Sequence, residues 1–309
     1  MTRDQQGLLW GAIGVLAFSF SLPATRLAVP DFGPILTSIG RGGVAALIAG
    51  IVLLIRRERF PGRQYVGGFM LVGAGVVIGF PLLTSYALRH VPASHGAVVV
   101  ALLPAATAAC AVLWAGERAP WPFWAAVVFG MLTVLVFAVV QGAGRPHRED
   151  ALLLGAVVAA AIGYTEGGRL SRELGGWRVI SWALVLTGPF CVPFIWLDVR
   201  DRTFDPSLSA WVGMAYVCVI SMYVGFLFWY RGLALGGIAR VGQVQLMQPV
   251  LSLIWAWLLL GEDVGWAEIG AGTLVLVSVI VTRQFRPHQP VVPDLSSYGA
   301  TPPLLASEK

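Results

Sequence analysis

Ten apolar runs of roughly twenty residues, each closed by a short polar stretch, organise this chain. They cover residues 8–28, 32–55, 66–89, 93–114, 121–141, 151–170, 177–197, 209–233, 237–260 and 265–283. A helix advances ~1.5 Å per residue and a bilayer's hydrocarbon core is ~30 Å thick, so each run is long enough to cross it. The punctuation is "RRERFPGR", "GERAPW", "GRPHRED", "DVRDRTFDP" and "GED". The pattern predicts an all-α integral membrane protein with ten transmembrane helices, numbered here as spans one to ten. From Gln284 onward the chain holds five prolines and no apolar period. That predicts a disordered tail over 284–309. Arg3 and the first run suggest a signal peptide, but no small-x-small cleavage site follows, so the run is expected to stay.

Composition agrees with the pattern. Hydrophobic residues make up 57% of the chain and charged residues 12%, against about 25% charged in soluble domains. The 21 Lys+Arg exceed the 16 Asp+Glu. In so apolar a chain this excess suits lipid headgroups and gives no reason to expect nucleic acid. The sole lysine is Lys309, so no Walker A loop is present. Cys110, Cys191 and Cys218 sit in apolar runs and read as packing residues. The histidines, His90, His95, His147 and His288, are scattered. No catalytic residue, metal site or cofactor is therefore expected, and an integral membrane enzyme is the least favoured class.

The arginines orient the spans. One side takes the N-terminus, the connections after spans two, four, six and eight, and the C-terminus. It holds 14 of the Lys+Arg, the other side holds 6, and Arg41 lies inside a span. The positive-inside rule then predicts a multi-pass protein of the inner (plasma) membrane with both termini cytoplasmic.

A segment occurs twice. "LPAATAACAVLWAGE" runs from Leu103 to Glu117, and "QPVLSLIWAWLLLGE" from Gln248 to Glu262. Proline and glutamate stand 13 residues apart in both, and the prolines, Pro104 and Pro249, are 145 residues apart. "LLWGAIGVLAFSFS" in span one is likewise similar to "LLLGAVVAAAIGYT" in span six, and "GFPLLTSYAL" in span three to "GFLFWYRGL" in span eight. Each half holds five spans, an odd number, so the second half enters the membrane the other way up. The expected architecture is two inverted five-helix repeats, residues 1–145 and 146–283, a plan transporters use around a central site.

These stretches, with "LLWGAIGVLAFSFSLPATRLA", "LTSIGRGGVAAL" and the paired "LLP…WAGE" and "LMQP…LLGE", resemble the drug/metabolite transporter superfamily, specifically its EamA-type ten-helix carriers. The resemblance spans about residues 7–283. It implies a gradient-driven exporter or exchanger of small metabolites, amino acids among them, working by alternating access. A multidrug or cationic-compound exporter is the alternative. The implied partners are a small-molecule substrate and membrane lipids. A proton as coupling ion and a homodimer stay open.

Candidate site residues are polar or helix-breaking positions within spans. Pro104 and Pro249 fall near mid-membrane, where a missing N–H would kink or gate the helix beside a cavity. The alternative is a kink for packing alone. Arg41 is deep in span two, and a central arginine costs about 2.5–3.5 kcal/mol on insertion scales. It needs a partner or a cavity; the resemblance implies a structural part. Glu166 is either a proton or cation contact or the ion-pair partner of Arg169. Gln245 and Gln248 share a helix face near Gln243 and suit a neutral or zwitterionic ligand, or else glue helices together. Phe80, Tyr164 and Tyr223 offer stacking surfaces, or pack. His95 reads as an interfacial residue, with a proton relay as the alternative.

Overall fold

Every regular element among the described residues is helical. The computed structural model describes residues 3–115, 120–141, 148–200, 205–236, 241 and 244–284. Glu117, Gln243 and the expected tail from residue 285 lie outside the described residues.

The first two expected spans form α1 (Arg3–Ser19), α2 (Ser21–Ile35) and α3 (Arg41–Ile55). α2 is interrupted at Gly33, whose φ of 74° lies between Pro30 and Pro34. Glycine reaches that region without a Cβ clash, so the chain turns there, slightly later than the hydropathy suggested. Span three is α4 (Val66–Val72) and α5 (Phe80–Ala87), span four α6 (Ala93–Val100) and α7 (Leu103–Ala115), and span five α8 (Trp121–Gln141). Then come α9 (Arg148–Leu174), α10 (Gly176–Val199), α11 (Leu208–Ala215) with α12 (Gly225–Gly236), α13 (Met247–Leu260) and α14 (Trp266–Gln284). Six helical stretches are long and apolar enough to cross a membrane: 5–55, 63–87, 93–114, 148–174, 176–199 and 208–236. Three shorter apolar helices cover 121–137, 247–260 and 266–278. The outward surface is apolar, with Leu47 70% and Leu54 77% exposed, as lipid contact requires.

Two local features were not expected. Widened π-type turns interrupt the helices at Leu36–Gly40, Gly73–Gly79 and Tyr216–Val224. The prolines also sit differently from the kink expected of them. α6 stops at Val100 and a new helix starts at Leu103, with Pro104 second. A 3-10 turn, Val244–Leu246, precedes α13, where Pro249 is third. The first N–H groups of a helix have no intrahelical partner, so a proline there removes no hydrogen bond. The helices are broken and restarted rather than bent.

Helices pair in a fixed pattern. α1 packs on α12, α5 and the Gly73–Gly79 turn on α9, α3 on α10, α6 on α13, and α8 on α14. Glycines set the closest approaches. A Cβ on Gly7 would lie 2.5 Å from Gly236 N, and one on Gly75 would overlap the Ala159 carbonyl.

Polar contacts collect at two ends of the bundle. At one end Arg26 donates to the carbonyls of Leu88 (2.6 Å) and Arg89 (3.2 Å), and Asp31 accepts from the N–H and hydroxyl of Ser207. At the other, Arg178 pairs with Glu58 at 2.7 Å and Arg56 lies over Trp177. These contacts join odd-numbered connections to each other and even-numbered ones to each other.

Candidate functional site

Two small voids lie inside the bundle and share Gln248. The first is lined by Val100, Leu103 and Pro104 from the first proline segment and by Gln245, Gln248 and Pro249 from the second. Thus the doubled segment meets itself: residues at −4, −1 and 0 relative to each proline face one space. Leu22, Ala97 and Ser252 complete the wall. The Ser252 hydroxyl donates to the Ser19 carbonyl at 2.7 Å and Trp255 Nε1 to the Ser19 hydroxyl at 3.0 Å, tying α13 to the end of α1.

The second void is gathered by the three widened turns. Arg41 follows the first turn directly. Val76 lies in the second and Phe80 follows it; Ser221 and Met222 lie in the third, and Phe226 stands just after it. Such turns re-aim side chains that a regular helix would point elsewhere, and they recur at functional sites. Phe18, Tyr164 and Gln248 line the same space. The Phe18 and Phe226 rings are tilted against each other with centroids 4.8 Å apart, and Tyr164 stands 5.9 Å from Phe226, forming an aromatic wall. Ser21 and Ser221 share a hydrogen bond of 2.7 Å between α2 and the third turn.

Around these voids lie polar atoms with nothing to bond. Arg41 is 2% exposed and its Nε has no hydrogen-bond partner. Gln245 Nε2 and Gln248 Oε1 are buried and unpartnered as well. Each such group costs about 1–3 kcal/mol, more when charged. The cost is offset once a ligand or water supplies the missing partner. Each void is small, with room for one or two waters.

Of the expected site residues, Arg41, Phe80, Tyr164 and Gln248 come together in the second void. Pro104, Gln245, Gln248 and Pro249 meet in the first. Tyr223 and Glu166 line neither. The Tyr223 hydroxyl shares a hydrogen bond with Ser181 at 3.0 Å. Glu166 accepts from Arg169 Nη2 at 2.7 Å and Nε at 2.9 Å, the i,i+3 ion pair that was its second reading. Among the described lining residues the only charged group is Arg41.

Sequence reasoning passed over Phe226, Ser221 and Glu262. The Gly-Phe match between spans three and eight, which pairs Phe80 with Phe226, carried the first signal. In the sequence Glu262 stands out only as the end of the repeated proline-to-glutamate spacing. Its carboxylate instead accepts from the N–H groups of Ala93 and Ser94, both at 2.9 Å, and so caps α6. Pro92, the residue before α6, has no side-chain acceptor to offer. That uncapped start was the available clue.

Comparison with known proteins now bears on this arrangement. The EamA-like transporter family matches the chain twice, over residues 5–139 and 147–284. The chain belongs to the EamA-like transporter family. A relative, "Uncharacterized transporter YdeK" of Bacillus subtilis, is 46% identical over 285 residues, covering 92% of this chain and 99% of that one. A "Probable terminal-alkyne amino-acid exporter" of Streptantibioticus cattleyicolor is 23% identical over 273 residues, covering 87% and 91%. A protein of known crystal structure shares the fold, with a TM-score of 0.63 at 18% identity over 91% of this chain and 99% of that one. The family and relatives carry transporter names, so this EamA protein is a membrane-embedded, multi-pass transporter.

Proposed function

We propose that this protein is a secondary transporter that exports or exchanges small carboxylate-bearing metabolites, amino acids first, by alternating access. The carrying observation is the unpartnered Arg41 guanidinium Nε in a buried, aromatic-walled void that reaches Gln248, whose amide oxygen is unpartnered. Arg41 matches a substrate carboxylate. The Gln245 and Gln248 amides suit its amino or other polar group. Phe18, Phe80, Tyr164 and Phe226 accept an apolar side chain. In the closed form described, an amino acid does not fit, and one end of the bundle must part to admit it.

The architecture proposed is ten spans in two inverted units, 1–145 and 146–283, with both termini cytoplasmic. Taking Gly33 as a turn and the three shorter helices as spans gives ten. The pairing pattern supports inversion. Exchanging span n with span n+5 turns the span one–eight contact into the three–six contact and leaves two–seven, four–nine and five–ten unchanged. Site roles for Tyr223 and Glu166, and a homodimer, have no supporting observation among the described contacts. The cationic-compound alternative relied on a cavity-facing acid, and Glu166 is engaged with Arg169. The name of the Streptantibioticus relative supports amino acids as the first substrates to try.

Proteoliposome counterflow of labelled phenylalanine, leucine and tyrosine tests this reading. Saturable exchange of at least one is expected. Absence of exchange for all three, with cationic dyes carried instead, overturns it.

A further inference from the structure

The transport reading leaves one buried ionisable pair unused. His95 Nε2 and Asp150 Oδ1 are 2.6 Å apart, with side chains 6% and 5% exposed. The other described ion pairs each have at least one side chain more than 40% exposed. His95 is the third residue of α6 and Asp150 the third of α9, so the pair joins the starts of two packed helices. The Phe137 ring lies 4.9 Å from the imidazole and covers it.

Several ionisable groups surround the pair. On the α13–α14 connection, Glu262 holds the amides of Ala93 and Ser94, the residues just before His95. Glu268 from α14 holds the Gly265 amide, and Asp263 lies on the same connection. From α2, Arg26 is bonded to the carbonyls of Leu88 and Arg89, and Asp31 to Ser207. Arg148 and Glu149 flank Asp150, and Arg89 and His90 precede α6. Among the described contacts, the charged groups that touch His95 or the two amides before it are the carboxylates of Asp150 and Glu262. The same helix carries Ala97 and Val100, which wall the proline void. His95 thus lies on a helix that walls the candidate site.

We propose that the His95–Asp150 pair is a proton-binding site, loaded from the end of the bundle at which it lies, and that its occupancy sets whether that end is closed. An imidazole titrates in the pH 5 to 8 window. The proton adds to the imidazole, and its hydrogen bond to Asp150 becomes an imidazolium–carboxylate bond, shorter and stronger. α6 is then held more firmly on α9. Loss of the proton leaves the neutral imidazole donating one N–H to the carboxylate, a weaker bond without the ion-pair attraction, and lets the helix ends part. The role of this site in coupling rests on the transport reading; the binding of the proton does not.

The test uses full-length protein in nanodiscs, without substrate, with Cys110, Cys191 and Cys218 replaced by serine. Spin labels at His90→Cys and Ala151→Cys, both exposed positions, report the gap between α6 and α9. His90→Cys also removes the neighbouring imidazole. Lowering the pH from about 8 to about 5 should enrich the short-distance population by about threefold or more. His95→Gln, which keeps a hydrogen bond without the titration, and Asp150→Asn should both flatten that response. A flat wild-type profile, or an unchanged response in His95→Gln, overturns the proposal. Should His95→Gln fold poorly, Asp150→Asn and the wild-type titration decide alone. Missing amino-acid counterflow with an intact pH response would sink the substrate reading and leave the proton site standing.

Discussion

The two proline segments share a spacing, a helix break and a common void, yet they are chemically unlike. The first presents Val100 and Leu103 at the positions where the second presents Gln245 and Gln248. Span two adds Arg41, and span seven offers no arginine at the matching depth. Repetition supplies the shape, and divergence within it supplies the chemistry. On the proposed function, a site whose polar groups come unequally from the two segments would hold a substrate in one orientation, its charged end toward Arg41 and its polar end toward the amides.

The comparison breaks most severely at Arg41. Arg41→Gln should lower amino-acid counterflow by about 10- to 100-fold, the loss expected for a buried charge-assisted bond. Activity within twofold of wild type would make Arg41 a packing residue. Next is Gln248→Leu, which gives the second segment the residue of the first. Counterflow should fall by about tenfold, seen as a raised half-saturation concentration, while Leu103→Gln should change it little. Equal effects of the two would erase the asymmetry. Glu262→Gln removes a charged cap worth about 1 kcal/mol from α6. Alkylation of a lone cysteine at Ala97→Cys by an impermeant maleimide should then speed up by about fivefold. The smallest effect is expected at the prolines themselves. Pro249→Ala should reduce flux by about two- to fivefold without reducing membrane insertion, and Pro104→Ala by less.

Much of the fold was legible because lipid imposes a simple rule: a span must be long, apolar and helical. The segments observed follow the hydropathy closely, from the start at Ala93 to the helix beginning at Trp121. The wide turns were not legible. A π-type turn is made by how neighbouring helices press on one another, and "GAGVVIG" and "YVCVISMYV" read as ordinary helix by composition. The site was half legible. Arg41, Gln245, Gln248 and the prolines are conspicuous as polar or helix-breaking residues in apolar runs. Phe226 and Ser221 are not, since aromatics and serines are common in spans and only the turn aims them inward. Glu166 shows the reverse. It was conspicuous, and a neighbour one turn away accounts for its charge.

The central claim is that substrate rests where the two proline segments and the aromatic wall meet. Photolabelling of the purified, membrane-embedded protein with a diazirine-bearing amino acid, followed by peptide mass spectrometry, tests it most directly. Adducts are expected on residues from both halves, Phe80 and Tyr164 together with Phe226 and Gln248, and they should disappear with excess phenylalanine and in Arg41→Gln. Adducts confined to the outward groove around Trp257 and Ile269, or insensitive to phenylalanine, would contradict it.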